Sequence, residues 1–255
     1  MNDTLLSVSG LTMRFGGLLA VDAVEFDVRR DEVFAIIGPN GAGKTTVFNC
    51  VGGFYKPTTG TITMDGTPIN GLSSHKVARK GLVRTFQNVR LFKSLTVLEN
   101  LLVAQHMHIQ TGLLQGLLKV SSYRKSERDA LDRAVEWLEF MGIRALANRD
   151  AGTLAYGHQR RLEIARCMIT RPRLLMLDEP AAGLNPQEKR DLQTLIDRLR
   201  REFGVAVLLI EHDMSLVMGV SDRIMVMEHG RPIITGGPAE VRADPRVIKA
   251  YLGEE

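Results

Sequence analysis

A glycine-rich segment between residues 38 and 45 has the spacing of a loop that binds phosphate groups. It reads Gly38-Pro39-Asn40-Gly41-Ala42-Gly43-Lys44-Thr45. Its glycines let the backbone direct N–H groups at an anion, and a helix that begins at its end adds positive potential. Lys44 would then reach the β and γ phosphates of a nucleoside triphosphate, while Thr45 would ligate Mg²⁺. A simple Gly-rich turn is the alternative interpretation, so the neighbouring elements matter.

Two adjacent carboxylates, Asp178 and Glu179, follow the apolar run from Leu174 to Leu177. A short apolar run without alternation is typical of a strand that is buried on both faces. Side chains that leave such a strand lie at the edge where open α/β sheets bind ligands. We expect Asp178 to support the Mg²⁺ shell, mostly through water, and Glu179 to polarise the attacking water as general base. Without the glycine-rich loop, the same acids before Pro180 would suit an ordinary turn.

His212 and Gln87 are two further candidate residues. His212 follows a third apolar run that ends at Ile210, so its imidazole is placed to contact the γ-phosphate. A lone His is otherwise more often a surface or core residue. Gln87 precedes a long helical stretch, and its amide could bind Mg²⁺ or water. The position of His212 after a buried run selects it, whereas Gln87 as an isolated residue would carry no signal.

Three apolar runs, Val33 to Ile37, Leu174 to Leu177 and Val205 to Ile210, predict buried strands. The first leads directly into the glycine-rich segment, which is the strand, loop and helix context that a P-loop requires. Between the other two runs, a helix is predicted from about Pro186 to Phe203, which gives a right-handed crossover between parallel strands. Near the N-terminus, the alternation of apolar residues over 24–28 predicts antiparallel sheet.

The stretch from about Asn88 to Gly157 has helical periodicity and almost no strand signal. Within it, Ser126 and Asp129 have the spacing of a capping box at a helix start, and Gly142 would end the helix. A stripe at helical spacing is interpreted as core packing: Leu131, Ala134, Val135, Leu138 and Met141. We therefore divide a single domain of residues 1–255 into a core, 1–87 with 158–255, and a helical subdomain, 88–157.

The composition is typical of an ordinary globular protein and does not identify a binding partner. With 255 residues, 44% of them hydrophobic, the chain can bury a large core, which argues against disorder. The net charge of +4 is small, and pairs of adjacent Arg residues lack interleaved aromatics, so nucleic acid is not an expected partner. Cys50 and Cys167 have no metal-binding spacing. Because no apolar run approaches the roughly 20 residues that span a bilayer, we expect a cytosolic chain, held at any membrane by other proteins.

These residues, in this order, resemble the ATP-binding cassette family of transport ATPases over nearly the whole chain. The resemblance implies an α/β P-loop NTPase fold with a parallel-sheet core, an antiparallel β subdomain and an inserted helical subdomain. It implies ATP and Mg²⁺ as cofactors, with Lys44, Glu179 and His212 as catalytic residues. Phe15 would stack on adenine, although a core aromatic of the first sheet is the alternative. The implied nucleotide-binding and metal-binding set is Phe15, Gly38, Pro39, Asn40, Gly41, Ala42, Gly43, Lys44, Thr45, Thr46, Gln87 and Asp178.

The signature loop of that family, Leu-Ser-Gly-Gly-Gln, stands here as Leu154-Ala155-Tyr156-Gly157-His158. In the family this loop caps the γ-phosphate held by the P-loop of another subunit, with the Ser hydroxyl as donor. Ala155 lacks that hydroxyl, although Gly157 still permits a close backbone approach. Asn185 departs from the Asp that is usual in the family at its position. We therefore expect a head-to-tail dimer with a different ATPase subunit and two unequal sites; a homodimer is the alternative.

Finer resemblance points to the ATPase of branched-chain amino acid importers. The segments that carry it are Met13 to Leu18, Arg84 to Phe92, Asn100 to Ala104 and Ala250 to Glu254. None of these segments contacts the solute, so Leu, Ile or Val as cargo follows from similarity alone. The implied partners are two membrane permease subunits, on which the helical subdomain docks, and indirectly a periplasmic or extracellular solute-binding protein. The chain would then lie peripherally on the cytoplasmic face of the plasma membrane.

Several related activities share these motifs. Importers of urea or short amides and exporters of lipopolysaccharide have similar cassettes. A soluble cassette ATPase that acts on DNA or ribosomes is another alternative, but such proteins commonly carry two cassettes or long coiled coils, and this sequence has one glycine-rich loop and no heptads. A small-molecule kinase would share the phosphate loop, and release of inorganic phosphate without an acceptor would exclude it.

Overall fold

The computed structural model describes residues 3–105 and 121–252, except for the side chains of residues 121–124 and 252. The strands in these ranges are β1 Thr4–Phe15, β2 Leu18–Arg29, β3 Val33–Ile37, β4 Thr59–Met64, β5 Thr67–Pro68, β6 Leu82–Arg84, β7 Leu174–Asp178, β8 Ala206–Ile210, β9 Arg223–Glu228 and β10 Arg231–Gly236. The helices are α1 Lys44–Val51, α2 Ser74–Arg79, α3 Val97–Gln105, α4 Ser121–Phe140, α5 Tyr156–Met168, α6 Pro186–Phe203, α7 Met214–Val220, α8 Pro238–Ala243 and α9 Pro245–Leu252. This mixture of strands and helices is the predicted α/β class.

The chain forms two compact units. The first combines Met1–Gln87 with Arg173–Glu255, and the second comprises Asn88–Pro172. The sequence prediction ended the helical part at residue 157, whereas the structural boundary lies later in the chain. The reason is that α5 packs with α3 and α4, so this whole helix belongs to the helical unit.

The first unit contains two sheets. An antiparallel sheet has the strand order β2-β1-β4-β5, and a tight turn at Gly16-Gly17 joins β1 to β2. A second sheet has the order β10-β9-β3-β8-β7-β6, in which all neighbours are parallel except the β9–β10 hairpin. Parallel strands point their carboxyl ends at the same edge, so the residues that follow β3, β7 and β8 are collected there.

Strands β3, β7 and β8 are buried along their whole length, as their uninterrupted apolar sequences predict. Ile36 of β3 and Leu208 of β8 lie in one hydrophobic cluster with Val8 of β1 and Phe48 of α1. Cys50 belongs to the same cluster, and burial raises the pKa of its thiol to about 11. Burying each large apolar side chain contributes roughly 1.5–3 kcal/mol, which makes these strands a rigid support for the loops at their ends.

Helix α6 covers Pro186–Phe203, as predicted. Asn185 is its N-cap, because the Asn185 side chain accepts hydrogen bonds from the N–H groups of Gln187 and Glu188. The Glu188 side chain accepts in return from the Asn185 N–H, which completes a capping box. The buried face of the helix consists of Leu192, Leu195, Ile196 and Leu199. Gly204 ends the helix in the left-handed conformation, and the chain then enters β8, the parallel neighbour of β7.

The described part of the second unit is helical. Helix α4 covers Ser121–Phe140 of the described residues, so the predicted start at Ser126 is wrong and Ser126 lies within the helix. Gly142 follows α4 with a φ of +69° and ends it, as predicted. Over the described residues, no helix is both long and apolar enough to cross a bilayer.

The predicted apolar stripe of α4 is partly confirmed. Three of its members are buried: Ala134, Leu138 and Met141. Val135 is half-buried, but Leu131 is 41% exposed. Ala130, four residues before Ala134, is buried instead, so the packed face begins at Ala130 and not at Leu131.

Candidate active site

The glycine-rich loop leaves β3 and enters α1 with very little clearance from neighbouring backbone. Gly38 has a φ of +146°, and a Cβ atom there would stand 2.1 Å from the carbonyl oxygen of Met227 in β9. Gly43 has a φ of +94°, and its Cβ would stand 2.6 Å from the carbonyl oxygen of Ala20 in β2. Because any side chain would collide with backbone at both positions, glycine is required for this loop path.

The start of α1 is suited to binding an anion. The first N–H groups of a helix have no partner within the helix, and the helix dipole places partial positive charge there. Gly43 is the N-cap, the first turn contains no acidic residue, and Lys44 adds a full positive charge. A phosphate group at this terminus would therefore meet aligned N–H donors and favourable potential.

Lys44 is buried at the loop. Its Nζ donates hydrogen bonds to the carbonyl oxygens of Gly38 at 2.7 Å and Pro39 at 2.9 Å. Burial lowers the pKa of Lys44 because desolvation penalises the ammonium, while the negative charge of Glu179 acts in the opposite direction. The side chain is thus fixed in place, and the negative charge of a phosphate would offset its desolvation.

A cleft of about 480 Å³ opens over the loop and the start of α1. Its lining includes residues 40–46, Glu179 and Phe15, which the sequence assigned to the nucleotide site. Phe15 is 42% exposed and meets Tyr55 edge to face, with ring centroids 5.4 Å apart. The ring of Phe15 therefore borders the cleft, as stacking on adenine requires, and is not a core aromatic.

Glu179, at the end of β7, has two polar side chains beside its carboxylate. The Gln87 Nε2 donates a hydrogen bond to Glu179 Oε2 at 2.8 Å. The His212 Nδ1 lies 3.9 Å from the same oxygen. The Glu179 N–H donates to the carbonyl oxygen of Ile210, which extends the pairing between β7 and β8. The structure therefore brings together Glu179 and His212, which the sequence placed at one sheet edge, and Gln87, which the sequence placed only before the helical stretch.

The backbone of Glu179 is also unusual. Its φ is +44°, in the left-handed region that residues other than glycine rarely adopt. Such a conformation costs about 1–3 kcal/mol and persists only where the surrounding structure holds it, often at sites of chemistry. Neighbouring contacts must therefore hold the Glu179 backbone in this conformation.

Asp178 is fixed by a buried arginine that the sequence analysis missed. Arg84 of β6 donates to Asp178 Oδ2 at 2.6 Å and to Asn49 Oδ1 of α1 at 2.7 Å. The guanidinium also lies 5.4–5.6 Å from the ring centroids of three aromatic residues, Phe48, Phe54 and Phe86. The salt bridge is almost fully buried, so losing either partner would leave an uncompensated charge. Nothing in the local sequence links Arg84 to Asp178, because the pairing of β6 with β7 creates the contact.

The segment Leu154–His158 lies in the helical unit. Ala155 is the N-cap of α5, with an extended backbone and no side-chain hydrogen bond to the helix start. Tyr156 is 39% exposed, and its hydroxyl oxygen accepts a hydrogen bond from Arg160 at 3.2 Å. The segment thus presents a helix N-terminus that contains a glycine, but position 155 has no hydroxyl.

Other residues line the cleft that the sequence did not single out: Leu18, Leu19, Ala20, His229 and Gly230. The Gly230 N–H donates to the carbonyl oxygen of Ala42 at 3.1 Å, so the turn between β9 and β10 supports the glycine-rich loop. In the sequence, Gly230 indicates a turn. That local signal could not place the turn beside a loop that lies far away along the chain.

Comparison with known proteins agrees with this geometry. The family model described as "ABC transporter" matches residues 21–182, and a model for branched-chain amino acid ATP-binding cassette transporters matches residues 231–255. Over 100% of both chains, this one is 63% identical to the high-affinity branched-chain amino acid transport ATP-binding protein BraF of Pseudomonas aeruginosa. It is 59% identical to the corresponding protein LivG of Escherichia coli K12, again over 100% of both. The ADP conformation of MJ1267, an ATP-binding cassette of an ABC transporter, has a TM-score of 0.84 and 32% identity, covering 98% of this chain and 99% of that one.

Proposed function

Because the chain belongs to the ABC transporter family, whose ATP-binding proteins hydrolyse ATP to power transport, we propose that it powers the import of branched-chain amino acids. One observation carries the assignment of its chemistry. The Glu179 carboxylate lines the cleft over the glycine-rich loop and has Gln87 and His212 beside it. A phosphate-binding loop and a poised carboxylate together are what hydrolysis of a nucleoside triphosphate requires.

The cleft would bind ATP through its phosphates. N–H groups at the start of α1 would donate to the β and γ phosphates, the Lys44 ammonium would pair with them, and the ring of Phe15 would stack on adenine. The negative charge brought by the phosphates would replace the loop carbonyls of Gly38 and Pro39 as the partner of Lys44. Binding would therefore relieve the desolvation of a buried ammonium.

The residues at this site suit Mg²⁺ as the companion of ATP. Thr45, Gln87 and Asp178 supply a hydroxyl, an amide and a carboxylate, which are the oxygen donors that Mg²⁺ prefers. The described residues contain no group of three or more His, Cys, Asp or Glu that could form an all-protein cage. An ion at this site would be held by few side chains, waters and substrate phosphates. When bound, Mg²⁺ would neutralise charge on the phosphates, and Arg84 would hold Asp178 in place for it.

Hydrolysis would begin when Glu179 orients a water molecule for in-line attack on the γ-phosphorus. Glu179 would accept a proton from that water as the new oxygen–phosphorus bond forms, and the bond from the γ-phosphorus to the bridging oxygen of ADP would break. Lys44 would stabilise the charge on the departing ADP oxygens, and His212 would contact the transferred phosphoryl group. Gln87 would keep the Glu179 carboxylate directed at the water through its 2.8 Å hydrogen bond. The products would be ADP and inorganic phosphate.

The helical unit would couple this chemistry to a membrane. In this proposal it docks on two integral permease subunits, which hold the chain on the cytoplasmic face of the membrane. ATP would close two cassettes head to tail, because each γ-phosphate would be bound by the glycine-rich loop of one chain and the Leu154–His158 segment of another. Hydrolysis removes that bridge, and opening of the dimer would reset the permease.

A companion ATPase subunit with a different sequence is the partner that we propose for this dimer. Ala155 cannot donate a side-chain hydrogen bond to the γ-phosphate held by the partner, so the two sites would be unequal. Leu, Ile and Val are the proposed cargo, delivered by a solute-binding protein outside the membrane. The names of the relatives at 59–63% identity, which are branched-chain amino acid transport proteins, support that choice.

Substituting the proposed base tests the catalytic assignment. Glu179→Gln keeps the shape of the side chain but removes its basicity, so turnover should fall by at least about 100-fold while the affinity for ATP changes less than about threefold. Phosphate release gives the turnover, and titration calorimetry with Mg·ATP gives the affinity. Glu202→Gln, on the exposed face of α6, is the matched control and should behave as wild type. Unchanged turnover in the Glu179 variant would refute the assignment.

Reconstitution tests the partners and the cargo. The subunits that copurify with this chain from solubilised membranes are identified and inserted in vesicles with their solute-binding protein. Uptake of leucine, isoleucine or valine that depends on ATP supports the proposal, whereas uptake of urea in preference to these amino acids contradicts it. If the purified complex contained two copies of this chain, the ATPase subunits would form a homodimer and the proposed heterodimer would be wrong.

A further inference from the structure

We propose that Glu211 is a positioning residue that fixes the Glu179 carboxylate and the His212 imidazole relative to each other. The inference rests on the proposed role of Glu179 as the general base. Glu211 itself is the first residue after β8 and is only 1% exposed. It is therefore a buried acidic side chain directly beside the chemistry, and the steps described above do not use it.

The Glu211 carboxylate joins two loops at the sheet edge. Its Oε1 accepts a hydrogen bond from the N–H of Ala181, two residues after Glu179, at 2.7 Å. Its Oε2 accepts from the N–H groups of His212 at 2.9 Å and Asp213 at 3.1 Å. One side chain thus binds the loop that follows β7 through one oxygen and the loop that follows β8 through the other.

These bonds act on the two side chains at the site. Glu179 has a left-handed backbone conformation, which neighbouring contacts must hold in place. One such contact is its own N–H bond to Ile210, and the bond from Ala181 to Glu211 fixes the chain on its other side. The His212 Nδ1 lies 3.9 Å from Oε2 of Glu179 and 3.9 Å from Oε2 of Glu211. The spacing between base and imidazole therefore depends on Glu211.

A carboxylate is the group that these bonds need. Both of its oxygens accept hydrogen bonds and neither donates, so it can serve the three N–H donors at once. The amide of a Gln at this position would place an NH₂ group against either Ala181 or the pair His212 and Asp213. One loop would then lose its acceptor, and a buried N–H group without a partner drives the backbone to move. An Asp would keep both acceptor oxygens on a side chain that is one methylene shorter.

Kinetics of Glu211 variants in the purified transport complex test the proposal. In Glu211→Gln, kcat for ATP hydrolysis should fall by about 10- to 100-fold, because small misplacement of catalytic groups has effects of this size. The KM for ATP and the calorimetric affinity should stay within about threefold, since the glycine-rich loop is untouched. Glu211→Asp should recover a clear part of the lost kcat, and the control Glu202→Gln should lose none.

Amide hydrogen exchange measures the bonds themselves. In Glu211→Gln, the N–H of Ala181 or those of His212 and Asp213 should exchange at least about tenfold faster, while amides in the centre of β3 keep their protection. Faster exchange or a lower Tm with an unchanged kcat would show a purely structural role and overturn the proposal. Equal kcat values for the Gln and Asp variants would also overturn it. If Glu179→Gln retains full turnover, the proposed function fails, whatever the Glu211 variants do.

Discussion

Two regions of the molecule are expected to face the phosphates of ATP, and they differ in how their polar groups are secured. At the sheet edge of the first unit, each chemically important side chain has identified partners: Lys44 bonds to loop carbonyls, Asp178 to Arg84, and Glu179 to Gln87. In the segment Leu154–His158 of the helical unit, the helix start at Ala155 has no side-chain cap. The first region has the groups that we propose for hydrolysis, whereas the second lacks the hydroxyl that would serve another subunit.

The two regions would act on different ATP molecules, so changes in their residues would have different consequences. Residues at the sheet edge would act on the ATP that the chain itself binds, and Lys44, Asp178 and Glu179 are each held by neighbours in the fold. The segment around Ala155 would act on ATP bound elsewhere, so its changes leave the chemistry of this chain intact. We infer that the chain hydrolyses its own ATP well and assists a partner poorly.

Replacing Lys44 should have the largest effect on the first region, because it should remove most of the affinity for ATP. Lys44→Met deletes about two charge-assisted hydrogen bonds to the phosphates, each worth about 1.5–3 kcal/mol. The affinity for Mg·ATP should therefore fall on the order of 10³-fold, measured by titration calorimetry. Lys76→Ala, on the exposed side of α2, is the control and should bind ATP normally. If Lys44→Met bound Mg·ATP as tightly as the wild type, the phosphates would have to bind at a different place in the protein.

Removing the imidazole of His212 should act on turnover instead of binding. In His212→Ala, kcat should fall on the order of 10²-fold, because one donor to the transferred phosphoryl group is lost in a preorganised site. The affinity for ATP should stay within about threefold. His75→Ala, with an exposed imidazole at the start of α2, is the control for the substitution. If His212→Ala kept the wild-type kcat, His212 would have a structural role and would not act on the phosphoryl group.

The sequence predicted the parts of this site that depend on local patterns. Uninterrupted apolar runs identified β3, β7 and β8, and parallel pairing then collects Glu179 and His212 at one edge. Contacts that depend on pairing between distant strands, such as Arg84 with Asp178, have no local signal. The helical unit was predicted less well, because the capping spacing at Ser126 occurs inside a helix that is already formed. The periodicity of α4 did not distinguish Leu131 from Ala130, because at about 100° per residue the two lie roughly 60° and 40° from Ala134, on opposite sides of it around the helix axis.

Asn185 shows that a departure from the family pattern need not weaken the fold. Its side chain caps α6, and Asp would cap equally well. Asn185→Ala should lower the free energy of unfolding by about 1 kcal/mol, whereas Asn185→Asp should change it by no more than a few tenths of a kcal/mol. Urea titration at constant m-value measures both. Thr194→Ala, within the same helix and exposed, should not destabilise the protein. If Asn185→Ala had the same free energy of unfolding as the wild type, the capping role of Asn185 would be contradicted.

Restoring a hydroxyl at Ala155 gives the smallest expected effect and tests the comparison most directly. Ser is a good N-cap where Ala is a poor one, so Ala155→Ser should raise the free energy of unfolding by about 0.5–1 kcal/mol. Asp caps about as well as Ser but has no hydroxyl to donate, and its negative charge would oppose a phosphate. Ala155→Asp should therefore give the same gain in stability and serves as the matched variant.

The two variants should differ only when the assembled transporter turns over ATP. If position 155 meets the γ-phosphate bound by the partner, the Ser variant should raise the ATPase rate of the complex by about two- to threefold, and the Asp variant should lower it. Blocking hydrolysis by this chain with Glu179→Gln isolates the activity of the partner site, where the gain should be retained. Equal rates for the Ser and Asp variants would mean that the segment does not reach the second ATP, and the proposed inequality of the two sites would then lose its structural basis.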